Sequence, residues 1–210
     1  MLFVFDWDGT ISDSTGRIVQ CMHQAADSLT LPALEDHQVR DIIGLGLPEA
    51  IQALYPELDR GDVSVMREAY VEHFVAADHE PSNFFPEVEA TLEALLERGH
   101  HIAVATGKSR AGLNRVLSSL RWDDYFHSSR CADETASKPH PKMLHELLGE
   151  FDINARDTVM VGDTEFDMEM ARRAGVPRIA VDYGAHHIDR LKPYEPIMCV
   201  SNFRQILDVA

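Results

Sequence analysis

The sequence predicts an α/β protein, a doubly wound parallel sheet into which a small all-α domain is inserted. Three observations predict it. Short apolar or β-branched runs alternate with amphipathic segments of 3.6-residue period. One interval between runs is far longer than the rest. Carboxylates, a threonine and a lysine recur just beyond the ends of the runs.

The runs fall at residues 2–5, 102–105, 126–130 (the weakest), 158–161, 178–181 and 197–200. Each is short, as expected of central strands covered on both faces. Between them, helix-like periodicity marks residues 86–98 (Val88, Leu92, Leu95, Leu96, then Gly99) and 109–120 (Leu113, Val116, Leu117, Leu120). Two more such segments lie at 141–151 and 165–174, the second stopped by Gly175 and Pro177. Strand alternating with helix implies parallel pairing through right-handed crossovers.

More than ninety residues separate the first run from the second, where a single helix fills the other intervals. Loops of that length are not expected in such units. The text there is helical: Ile18, Val19, Met22, Ala25, Ala26 and Leu29, then shorter apolar sets ending with Val63, Met66, Tyr70, Val71 and Phe74. Residues 14–83 therefore read as an inserted helical domain, with 1–13 and 84–210 forming the sheet domain. Ser12 and Asp13 make one expected hinge, and the breaker-rich stretch 78–86 the other.

Composition narrows the function classes. Lys+Arg number 19 against 35 Asp+Glu, a net charge of −16, so a nucleic-acid partner is not expected. A hydrophobic content of 45% with 26% charged residues suits a folded soluble chain. The opening MLFVFD is apolar for only five residues, too few for a membrane span or a secretory leader, and a cytoplasmic location is expected. Cys21, Cys131 and Cys199 are widely spaced and odd in number, which fits neither a disulfide framework nor a zinc knuckle.

In open parallel sheets, ligands bind beyond the carboxyl ends of the strands. The first run is followed by Asp6-Trp7-Asp8-Gly9-Thr10 and the second by Thr106-Gly107-Lys108. The fourth is followed by Asp163-Thr164-Glu165-Phe166-Asp167, and Ser137-Lys138-Pro139 precedes the 141–151 helix. Four carboxylates, a hydroxyl and a lysine thus converge on one rim. Carboxylates crowded in this way repel one another unless a hard divalent cation joins them, and Mg²⁺ suits few protein carboxylates together with substrate phosphate.

These residues resemble a known family. DWDGT, Thr106 after an apolar run, Lys138 before a proline and GDTEFD are similar, in that order, to the four motifs of the haloacid dehalogenase superfamily. The phosphatase branch, with a helical cap after the first motif, is the nearer likeness, and it covers the whole chain on a Rossmann-like core. The resemblance implies an aspartyl-phosphate formed on Asp6, with Asp8 as general acid and base. It implies Mg²⁺ held by the Asp6 carboxylate, the Asp8 main-chain carbonyl and Asp163, with Asp167 joining directly or through water. Thr106 and the Gly107 N–H would donate to phosphate oxygens, and Lys138 would neutralise charge on Asp6 and the transferring group.

Plainer readings compete at several positions. Thr164-x-x-Asp167 also fits a helix capping box. Lys108 reads as solvated rather than catalytic, and the pairs His100-His101 and His186-His187 as surface residues. Gly107-Lys108-Ser109 lacks the spacing of a nucleotide P-loop, and Gly44-Leu45-Gly46 that of a dinucleotide fingerprint.

Within the superfamily, Asp8 favours phosphate chemistry over dehalogenation, because only a leaving oxygen needs a proton. A phosphonate hydrolase would use a cap lysine, and residues 14–83 contain none. The cap loop 43–48 (IGLGLP) and the run 137–141 (SKPHP) look most like the phosphoglycolate-phosphatase-like group. The expected substrate is accordingly a small phosphorylated metabolite of the phosphoglycolate type, with Gly44, Leu45 and Gly46 hanging over it. Arg17 and Arg40 are candidates to meet a substrate carboxylate, against solvation as the plainer reading. A sugar-phosphate mutase and a non-catalytic phosphate-binding domain remain open alternatives, and oligomeric state is not legible.

Overall fold

All six expected strands are present in the computed structural model, which describes residues 1–77 and 83–210. β1 (Leu2–Phe5), β2 (His101–Thr106), β3 (Ser128–Cys131), β4 (Thr158–Gly162), β5 (Arg178–Val181) and β6 (Met198–Val200) form one sheet in the order β3-β2-β1-β4-β5-β6. Every pairing is parallel, from Phe5 against Val104 on one side to Phe5 against Val161 on the other. The chain runs outward from β1 in both directions. The order therefore reverses between β1 and β4, where a doubly wound sheet opens a crevice at its carboxyl edge.

The two-residue period of a strand explains how one short run supports two cores. Phe3 and Phe5 of β1 pack with Ile102 and Val104 of β2, the helix α5 (Val88–Glu97) and the closing 3-10 turn Phe203–Asp208. Leu2 and Val4 face the other way with Ala103, Ala105 and the helices α7 (Lys142–Phe151) and α8 (Glu165–Ala174). All four β1 side chains are fully buried. Truncating Phe3 or Phe5 to alanine costs about 3–5 kcal/mol.

Between β1 and α5 the described residues form four helices: α1 (Thr15–Ser28), α2 (Asp36–Arg40), α3 (Leu47–Leu54) and α4 (Arg60–Ala77). They enclose their own apolar cluster. Ile18, Met22, Ala25 and Ala26 of α1 meet Val63, Met66 and Phe74 of α4, with Ile51 of α3 between. The outgoing and returning strands of chain are tied together: Asp13 N–H donates to the Asn83 carbonyl at 2.9 Å and Phe85 N–H to that of Ile11 at 3.1 Å. Of the second expected hinge, residues 78–82 lie outside the described residues.

The differences from expectation sit at edges. β3 starts at Ser128, because Phe126 is withdrawn into an aromatic cluster with Trp7 and Trp122. β6 starts after Ile197, which is 54% exposed. The helices α6 (Arg110–Leu120) and α9 (Ile188–Leu191) complete the chain. α9 and the Phe203–Asp208 turn were not expected from periodicity. Among the described residues no helix is long and apolar enough to cross a membrane, and none of the three cysteines forms a disulfide.

Candidate active site

Asp6 follows directly on β1 and continues its pairing, its N–H donating to the Val161 carbonyl of β4 at 2.9 Å. The chain then turns sharply: the Trp7 carbonyl accepts from the N–H groups of Ile11 and Ser12 at 3.0 and 2.9 Å. Gly9 sits in this turn at φ +85°, and a Cβ there would collide with the Asp163 carboxylate. Glycine is needed twice over, for the backbone conformation and for the close approach. The next residue, Thr10, donates its hydroxyl to Asp163 Oδ1 at 2.9 Å. The Asp6–Thr10 motif and the Asp163 motif are thus built against each other at the β1/β4 crevice.

Asp163 precedes α8, and its Oδ2 accepts from the Ala185 N–H at 2.7 Å. Thr164 caps α8, forming a reciprocal box with Asp167. Asp167 Oδ2 accepts from the Thr164 N–H at 3.1 Å and its hydroxyl at 2.7 Å, while Oδ1 takes Lys138 Nζ at 2.6 Å. Lys138 Nζ also lies 2.7 Å from Asp6 Oδ1. Asp6 Oδ2 meets no hydrogen-bond donor among the described residues.

Asp6, Asp163 and Asp167 present oxygens within 4.8 Å of one another, and with Lys138 all are at most 1% exposed. Burial drives the Asp6 carboxyl well above the usual carboxylate range, opposed by Lys138 and reinforced by Asp167 and Asp163. Asp163 is raised for the same first cause and by Asp167. Burial works against the Lys138 ammonium, but Asp167 and Asp6 more than reverse it and hold its pKa above the ordinary lysine value. Three carboxylates and one ammonium leave a formal surplus of two negative charges in a dry place.

Asp8 points away from this cluster. Its Oδ1 accepts the Ser14 hydroxyl at 2.6 Å and faces Lys108 Nζ at 3.0 Å. The solvated reading of Lys108 is therefore corrected: its side chain is 12% exposed, and its ammonium also lies 5.0 Å from the Phe74 ring of α4. Thr106, fully buried at the end of β2, accepts the Lys108 N–H at 3.1 Å, which leaves its own hydroxyl proton for an anion. Ser14 was missed because a single Ser carries no spacing signal.

The loop Gly44-Leu45-Gly46 rests on the sheet's rim. A Cβ at Gly107 would strike the carbonyls of Gly44 and Leu45, so Gly107 is required by this packing. Gly46 N–H donates to Ser137 Oγ at 2.7 Å, anchoring the loop, while Gly44 and Leu45 border a cavity of about 690 Å³. Asp6, Asp8, Gly107 and Lys108 line its floor. The arginines at the cavity are Arg67 and Arg115, not Arg17 or Arg40. Across the gap, Arg190 pairs with Asp41 beside α2 and with Glu165 at 2.8 Å. His186, expected at the surface, is 1% exposed and packs edge-on against Phe166, because the Glu165 N–H donates to its Nδ1 at 3.2 Å.

Known proteins match this chain from end to end. The model of the haloacid dehalogenase-like hydrolase family matches residues 3–181. A Dickeya dadantii protein named "Probable phosphatase IndB" is 34% identical over 213 residues, 100% of this chain and 93% of the relative. A Vibrio vulnificus phosphoglycolate phosphatase is 30% identical, covering 99% of this chain and 95% of its own. A hydrolase from Pseudomonas syringae superimposes with a TM-score of 0.90 over 100% of this chain and 97% of that one; at 20% identity this speaks for the fold alone. With the four motifs gathered at one crevice and the family match spanning most of its length, the chain belongs to the haloacid dehalogenase-like hydrolases.

Proposed function

We propose that this protein is a cytoplasmic Mg²⁺-dependent phosphatase that hydrolyses a small phosphomonoester through a phosphorylated Asp6. Residues 14–83 act as its cap. The observation that carries the reading is the buried surplus of two negative charges around an Asp6 oxygen that meets no donor among the described residues. An all-oxygen carboxylate set with that imbalance fits a hard divalent cation. Asp6, Asp163 and the Asp8 carbonyl would hold it. Both Asp167 oxygens are already engaged by Lys138 and Thr164, which suits contact through water. When bound, the cation supplies charge neutralisation that lets a phosphate dianion approach Asp6.

The chain's own groups account for the rest. Asp6 Oδ2 attacks phosphorus, and the ester oxygen leaves with a proton from Asp8. Asp8 then takes a proton from water, whose oxygen breaks the phosphorus–Asp6 bond and frees phosphate. Ser14 and Lys108 hold Asp8 outside the buried cluster, on the leaving-group side. Lys138 counters charge on Asp6, and Thr106 offers its hydroxyl to a phosphate oxygen. Gly44 and Leu45 sit over the floor, and the Gly46 anchor keeps them there. The relatives named phosphoglycolate phosphatase support a small phosphomonoester as substrate.

Phosphate release from an aryl phosphate tests the reading, with Mg²⁺ and with chelator, alongside acid-stable phosphate on Asp6 in rapid quench. Mg²⁺-dependent release with transient labelling is expected. Release that needs a bisphosphate primer would assign a mutase, and tight phosphate binding without turnover a binding domain.

A further inference from the structure

The cavity above Asp6 has two unlike halves. Its floor is charged, but its upper wall is built from Ile18 and Met22 of α1, Ile42, Leu47 of α3, and Val71 and Phe74 of α4. Most of these also close the helical cluster from behind. Val71 does not. It lies outside that cluster, one helical turn from Arg67 on the cavity side of α4, and is 42% exposed. Apolar surface left open beside a reactive site is surface that a ligand covers.

The polar groups point to the same conclusion. Lys108 is engaged by Asp8 at 3.0 Å and Arg67 by Glu68 at 3.9 Å, and Arg115 has an interaction of its own. Glu49, Glu68 and Glu72 border the cavity on the cap side. A carboxylate at the far end of a substrate would meet these acids across an apolar gap. The volume of about 690 Å³ is far more than a two-carbon acid phosphate fills, and lies in the range that takes organic ligands several times larger.

We infer that the preferred substrate is a phosphomonoester whose alcohol part is apolar, an alkyl or aryl group laid along Val71 and Phe74, rather than a short carboxylated acid. This rests on the phosphatase reading above and specifies its leaving group. Binding then divides in two: the core takes the phosphate, which all substrates share, and the cap selects by apolar contact. Each methylene buried in passing from free substrate to transition state raises kcat/KM by about fourfold.

The test is steady-state kcat/KM for methyl, n-propyl and n-hexyl phosphate and for phosphoglycolate, with Mg²⁺, on the intact protein and on Val71→Asp. Val71 is exposed, so the substitution leaves the fold in place. The expected result is a stepwise rise from methyl to hexyl, with phosphoglycolate below hexyl phosphate. In Val71→Asp the hexyl-to-methyl ratio should fall by about tenfold or more. A flat series, a preference for phosphoglycolate, or an unchanged ratio in Val71→Asp overturns the inference and leaves the phosphatase reading standing. No phosphate release from any ester overturns that reading, and this inference with it.

Discussion

Two walls face each other across one cavity, and they are made in opposite ways. On the sheet side, Asp163, Asp167 and Lys138 are buried and fixed by Thr10, Ala185, Thr164 and Asp6, mostly at 2.6–3.1 Å. On the helical side the wall is mostly apolar, and Val71 stands open to the cavity. A hydrogen-bonded charge network has one good geometry and is costly to disturb. An apolar wall has many, and accepts a change of residue at the cost of area alone. On the proposed reading, reaction type is held by the core and substrate choice is left to the insertion.

The largest effect is expected at Asp6. Asp6→Asn should lower phosphate release by about four orders of magnitude or more, since the oxygens of the neighbouring Asp163 and Asp167 are already engaged by Thr10, Ala185, Lys138 and Thr164. The same substitution removes one of the surplus buried charges. In chelator it should raise unfolding free energy by about 1–3 kcal/mol, read from urea titration. Loss of both activity and stability would mean that Asp6 is structural.

Next comes Lys138. Replacing it with Met keeps the length of the side chain and leaves three buried carboxylates with no cation among them. Destabilisation of about 3–5 kcal/mol is expected in chelator, partly recovered with Mg²⁺, in the same titration. An equal loss on the apolar side would require a core truncation; Val71→Ala, by contrast, should move stability by less than about 1 kcal/mol. Similar losses for Lys138→Met and Val71→Ala would remove the distinction between the walls.

How far the sequence foretold this arrangement differs between the walls. Leu2–Phe5 and Arg178–Val181 were legible to the residue, because a buried parallel strand is a continuous apolar run between polar residues. That Asp6, Asp8, Thr106 and Asp163 would meet at one rim was legible because each stands at or just after the end of such a run, whereas Lys138 was picked out by the family likeness of its place before a proline. Lys108 was misread: nothing in Gly107-Lys108-Ser109 says that its side chain turns back to Asp8 beneath Phe74. His186 was misread because its burial depends on Phe166 and on the Glu165 N–H, the latter 21 residues away in the chain. Val71 read only as one more apolar residue in a helical stripe. Which face of α4 meets its helical neighbours and which meets the cavity is decided by tertiary packing, and periodicity is blind to that.

Lys108 joins the two walls, and so its substitution sharpens where one ends. Lys108→Ala should lower kcat/KM by about tenfold, because Asp8 loses one of its two partners but keeps Ser14. Lys108→Met restores contact with Phe74 without the charge. If Met recovers KM but not kcat, the residue positions Asp8 through its charge and the cap through its stem. Full recovery by Met would assign it to packing alone.

The smallest effect separates buried from surface charge on a single helix. α8 begins beside the site with Asp167 and carries Glu169 on its outer side, 15% exposed, where Arg172 and Arg173 approach at 2.6 Å. The hydrogen bond from Arg172, against the opposing effect of burial and with help from Arg173, lowers the Glu169 pKa from 4.5 to about 2. The sign is opposite to that at Asp6 and Asp163, where burial outweighs any partner. A carboxylate lowered in the folded state stabilises above its unfolded pKa and loses that stabilisation as pH falls through the folded one. Glu169→Gln should therefore cost about 1 kcal/mol at pH 7, since both arginines are half exposed and screened. The difference should hold down to about pH 5, shrink through the interval between 4.5 and about 2, and vanish below it. Urea titrations of both proteins across that range provide the measurement. A difference that grew toward acid would mean that Glu169 resembles the buried carboxylates, and that the division between site and surface does not run along α8.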